Sequence, residues 1–145
     1  NHVAMVAHAH ALLSRCDEAL LARAAAHLRA QCDAGRPVSQ DHLASIVDAF
    51  VVKLNFQPED LVQVVEFSLP RVVHLMHKND IVMTVPRLGQ LRGLCAPASF
   101  RAPVFEHCAR ILDQLTINAA VGVLEAAEHL QHSCAAFWAE ALRQC

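Results

Sequence analysis

"LNFQPEDLVQVV", residues 54–65, decides the fold. One apolar stripe ends at Leu54, a three-residue break runs from Asn55 to Gln57, and a second stripe begins at Leu61. Upstream, Leu43, Ile46, Val47, Phe50, Val51 and Leu54 fall at i, i+3, i+4, i+7, i+8 and i+11. That spacing is one broad helical face. Ser39, just after Pro37, suits its N-cap. Downstream, Leu61, Val64, Val65, Leu69, Val72, Val73 and Met76 repeat the spacing. Pro58 suits a first helical position, and Glu59 and Asp60 suit the positive end of the helix dipole. Pro70 lacks an N–H and is expected to kink the second helix. The pattern predicts a helical hairpin over 40–77, with Phe50, Val51, Leu54, Leu61, Val65 and Leu69 in its core.

The hairpin recurs. Leu13 precedes Leu20, Leu54 precedes Leu61, and Leu130 precedes Phe137 by seven residues each, across "SRCDEA", "NFQPED" and "QHSCAA". The first and middle copies lie 41 residues apart, and the middle and last lie 76 apart, twice 38. Such a period is that of stacked helical repeats. "VPRLGQLRGL" (85–94) and "APVFEHCARILDQL" (102–115), opening with Pro86 and Pro103, supply the missing copy around a longer joint, "CAPASFRA".

The expectation is an all-α chain, an α-solenoid of about four helix-turn-helix repeats with a period of about 38–41 residues. It forms one domain over 1–145, with hairpins at about 1–35, 36–78, 79–115 and 116–145. Helices are expected near 3–13, 18–32, 40–54, 58–77, 86–95, 103–115, 118–131 and 134–144. The last one, capped by Ser133, carries Cys134, Phe137, Trp138, Ala141, Leu142 and Cys145 at the same apolar spacing, so something should cover it. The chain begins at Asn1 and is expected to be a fragment of a longer one.

Composition supports helices. Apolar residues make up 54 % of the chain, with only four glycines and no Tyr. Ala and Leu carry that fraction, and both are strong helix formers. No membrane span is expected, because "INAAVGVLEAA" (117–127) falls short of the roughly 18–20 residues required and already carries Glu125. A net charge of −2 and a pI near 6.6 argue against a freestanding basic nucleic-acid binder. Cys16, Cys32, Cys95, Cys108, Cys134 and Cys145 form no CxxC, and are expected to be reduced and mostly buried.

Chemistry-bearing motifs are sparse. His74 with His77, and His129 with His132, stand at i, i+3, where two imidazoles could share a zinc. Neither pair has the Glu of HExxH or an evident fourth ligand, so surface or interface histidines are expected and no metal. In "FEHC" (105–108) adjacent helical residues point about 100° apart, which does not make a Cys–His dyad. Gly-rich phosphate loops, GxSxG and paired catalytic carboxylates do not occur. No enzyme, cofactor or small-molecule substrate is expected.

The wording "IVDAFVVKLNFQPEDLVQVVEFSLP" (46–70) resembles heptatricopeptide-type repeats, the organellar helical hairpins of RAP-domain and FAST-kinase-like proteins. Ala49, Leu54, Asn55, Phe56, Pro58 and Leu61 carry the resemblance, and "AEHLQHSCAAFWAEAL" (127–142) is a weaker copy. The "PPPEW" of the related octotricopeptide repeats does not occur. The resemblance implies a mitochondrial (matrix) protein working on RNA or within an organellar ribosome. The expected function is that of a lineage-specific mitochondrial ribosomal protein, with ribosomal RNA and neighbouring ribosomal proteins as partners. The alternative is a protein–protein scaffold or accessory subunit of another organellar complex.

Ten of the twelve basic residues are Arg, whose planar fork suits phosphate. Arg87, Arg92 and Arg101 cluster around the irregular joint and are the expected RNA-phosphate contacts, with Lys53 and Arg71 behind them. An ordinary solvated helix face is the competing reading of the same arginines.

Overall fold

In the computed structural model of the chain, the described residues are 17–144, with Met5 and Ala9. Seven α-helices follow one another among them: α1 Glu18–Asp33, α2 Gln40–Val47, α3 Glu59–Val72, α4 Lys78–Thr84, α5 Ala98–Ile111, α6 Ile117–His129 and α7 Ala135–Gln144. The described residues contain no strand. The expected helix 3–13, and Leu13 of the first joint, lie outside them apart from Met5 and Ala9, which are helical.

Local chemistry sets most boundaries. Asp17 caps α1, its carboxylate accepting the Leu20 N–H at 3.0 Å. His77 and Asp80 form a capping box on α4, with the His77 N–H on the Asp80 carboxylate at 3.0 Å. Thr116 caps α6 through its hydroxyl. Pro58 and Pro97 stand in extended conformation directly before α3 and α5, 39 residues apart.

Several expected boundaries require correction. Pro58 is the cap residue of α3, not its first helical residue. The third pair begins at Lys78, because the capping box starts a helix well before Pro86. Pro86 instead lies in a 3₁₀ run, Val85–Gln90, that continues α4. Pro103 stands inside α5, which starts at Ala98 after Pro97. The segment 40–54 is not uniformly α-helical: Asp48–Lys53 is a π-helical turn, with the Leu54 N–H on the Ala49 carbonyl at 2.9 Å. That widened turn leaves Leu54 half-buried rather than core. Past Pro70, α3 stays helical to Val72 and then tightens to 3₁₀ at Val73–Leu75.

The helices recur in register. α1, α3, α5 and α7 begin at spacings of 41, 39 and 37 residues, and α2, α4 and α6 at 38 and 39. Each helix packs on the next but one: α1 on α3, α2 on α4, α3 on α5, α4 on α6 and α5 on α7. One continuous core results. Leu61, Phe100 and Phe137, each the third residue of its helix, are all buried, whereas in α1 the buried residue is Leu21 and Leu20, which the seven-residue spacing pointed to, is exposed. In the other row Phe50, Leu88 and Ala127 match and are buried too. α6 also packs closely on the 3₁₀ run, and a Cβ at Gly122 would sit 3.1 Å from the Pro86 ring.

Joints share a backbone device as well. Asn55 (φ 48) and Gln131 (φ 54) adopt left-handed conformation, and the next N–H reaches back into the preceding helix. Phe56 donates to the Phe50 carbonyl at 2.9 Å, and His132 to the Ala127 carbonyl at 2.8 Å.

A polar residue ten places into the next helix of the row then ties down the opposite joints. The buried Ser68 hydroxyl accepts the Val38 N–H at 3.1 Å. Thirty-nine residues on, His107 Nε2 meets the Met76 carbonyl at 3.2 Å.

Candidate nucleic-acid interface

The long joint between the 3₁₀ run and α5 is held from beneath. Leu91 and Ala96 are buried and anchor it, while Arg92, Gly93 and Cys95 are exposed. Gly93 (φ 84) and Ala96 (φ 40) turn the chain through left-handed backbone. The Gln57 side chain accepts the Arg92 N–H at 3.0 Å, and Glu66 accepts the Cys95 N–H at 2.7 Å. Two residues of the preceding pair thus fix the loop, and Arg92 stands outward from it. Its guanidinium makes no hydrogen bond or ion pair with the described residues.

Four other candidate cations sit differently. Arg101 is half-buried in α5, and one of its terminal nitrogens donates to the Leu130 carbonyl at 2.8 Å and the Gln131 carbonyl at 2.5 Å. It therefore closes the orphan carbonyls at the end of α6. Its Nε is buried without a partner, as is that of the half-buried Arg87. Lys53 pairs with Asp48 at 3.0 Å. Arg71, in the last turn of α3, donates to the Phe67 carbonyl at 2.5 Å and lies over the Phe67 ring at 3.9 Å.

The structure groups these residues only in part. Gln57 joins the Lys53 and Arg92 joints, and Arg101 joins α5 to the following joint. Arg71 stands at the far end of its helix from the 54–58 joint.

Histidines and cysteines divide by position. His74 is exposed and His77 caps α4. His129 ends α6, whereas His132 lies in the next joint and is buried rather than on the surface. No group of three or more His, Cys, Asp or Glu among the described residues is placed to hold a metal. Cys32, Cys95, Cys108 and Cys134 are free, and the exposure of Cys95 and Cys134 corrects the expectation of mostly buried thiols. Cys16 and Cys145 lie outside the described residues. Burial pushes the Cys108 thiol up to about 12, which makes it inert as a nucleophile at neutral pH.

Sequence reasoning passed over Gln57 and Glu66. A long joint whose amides need acceptors was the available signal. Comparison of the chain with known protein families, with curated proteins and with solved structures finds no match.

Proposed function

We propose that the chain is a short α-solenoid serving as a structural protein of a mitochondrial RNA–protein assembly, where it contacts ribosomal RNA and neighbouring ribosomal proteins. The observation that carries this reading is the register itself: helices restarting every 37–41 residues and packing next but one. A stack of such pairs offers long surfaces and no built-in pocket chemistry. The heptatricopeptide-like wording at 46–70 adds the organellar RNA setting and the matrix location.

Arg92 is the best-placed phosphate contact, on an exposed loop fixed from below by Gln57 and Glu66. The test is RNA affinity against salt for the whole chain and for Arg92→Ala. Loss of one phosphate contact should lower affinity for any RNA sequence and reduce the salt slope by about one unit.

One observation favours the second reading, a protein–protein scaffold. Lys53, Arg71 and Arg101 already hold partners within the chain. Unchanged affinity and slope in Arg92→Ala and Arg87→Ala, with the fold intact, would put the scaffold ahead.

A further inference from the structure

In the joint of the second pair the residue after the left-handed position is Phe56, half-buried and stacked with Phe50 at 6.3 Å between ring centroids. In the last pair the same place belongs to His132. Its ring lies 4.7 Å from that of Phe105 on α5 and 5.3 Å from that of Phe137 on α7, only 9 % exposed. Nε2 is buried and has no partner. The imidazole fills an aromatic place, and the doubly protonated ring would leave a buried N–H at Nε2 with no acceptor among the described residues.

Its surroundings bias it further. From α5, Arg101 lines one cleft beside His132, and Glu106, Arg110 and Asp113 line a larger one of about 670 Å³. α7 brings Glu140 and Arg143 to the larger cleft. Those two arginines are each paired with a carboxylate one turn away on their own helix. The joint itself contributes the Cys134 thiol. α6, whose Ala127 carbonyl accepts the His132 N–H, lines neither cleft. Of these charges, the Arg101 cation is the one that disfavours a protonated His132.

We infer that His132 is a pH-sensitive latch: neutral, it lets the 130–134 joint and α7 dock on α5, and protonated, it releases them. Burial is the larger cause holding its pKa below the usual histidine range, and the Arg101 charge adds to it. The direction follows. A base whose folded pKa is depressed withdraws stability as pH falls below the unfolded value near 6.5. α7 is the element at stake because its contacts run to α5 and the 3₁₀ turn that ends it.

The chain carries its own reporter. Trp138 is its single tryptophan, and its indole N–H donates to the His132 carbonyl at 2.8 Å. The experiment follows Trp138 emission and amide exchange in 135–144 for the full chain from pH 7.5 to 5. Exchange is corrected for its intrinsic pH dependence and compared with that of α3. In the wild-type chain the docked-to-released ratio should fall by up to about tenfold per pH unit below about 6.5, with a red shift of Trp138. In His132→Phe, which installs the side chain of the matching joint, both changes should vanish. Should that variant not fold, His132→Gln provides a second non-titrating side chain with the same expectation. A slope shared by wild type and both variants, or equal loss of protection in α3 and α7, would overturn the latch.

Discussion

The pairs α2–α3 and α6–α7 are built on the same joint and filled with different side chains. Both turn through a left-handed residue, both send the following N–H back into the first helix, and both start the second helix three residues later. Yet the carbonyl that accepts this N–H belongs to Phe50 in one and to Ala127 in the other, and Phe56 matches His132. In the first of these pairs α3 lies between α1 and α5. The last leaves Ile117 and Leu142 largely exposed, at 83 % and 77 %. The difference teaches that joint geometry sets where helices turn, while burial sets how firmly the turn is held.

The largest expected effect tests that division. Phe50→Ala empties a fully buried site and should cost about 3–5 kcal/mol, because the surroundings collapse only in part. Ala127→Gly, at the matching site, removes one methyl and adds backbone freedom, for about 1 kcal/mol. Denaturant unfolding of both variants measures the contrast. Similar losses at the two sites would break the comparison. The proposed pH response of α7 belongs to the same contrast, since of these two pairs the last carries a titrating group at this place in its joint and the other carries Phe56.

A smaller effect concerns the joints themselves. Left-handed backbone costs a side chain with a Cβ about 1–2 kcal/mol, and Asn bears it better than most. Gln131→Gly should therefore raise stability by roughly 0.5–1 kcal/mol, and Asn55→Gly by less. Thermal melting of the two variants orders them. A larger gain at Asn55 would show that the joints are not equivalent after all.

The sequence revealed the period and the all-helical class because both rest on spacing. Leu54 to Leu61 and Leu130 to Phe137 mark joints that the structure places where the spacing put them. It misled at Pro86 and Pro103, since a proline's preference for a first turn says nothing about which turn. Pro97 and the His77–Asp80 box were the real start signals. The π-turn at Asp48–Lys53 was illegible, for its stripe reads the same as an α-helical one until the chain turns. Among the candidate cations, charge was visible and engagement was not. Arg101 looks like a free arginine until its carbonyl partners, 29 and 30 residues away, are brought beside it.

The smallest expected effect separates stability from binding. Lys53 and Asp48 form an ion pair with side chains 39 % and 18 % exposed. Such pairs near the surface contribute little, so Lys53→Met should change stability by less than about 0.5 kcal/mol, with a melting temperature almost insensitive to salt. A loss several times larger would mean that the pair holds the π-turn and that the first pair depends on charge as well as burial. If stability holds and the RNA salt slope falls by about one unit, Lys53 is a phosphate contact despite its partner. If neither changes, Lys53 is not a phosphate contact.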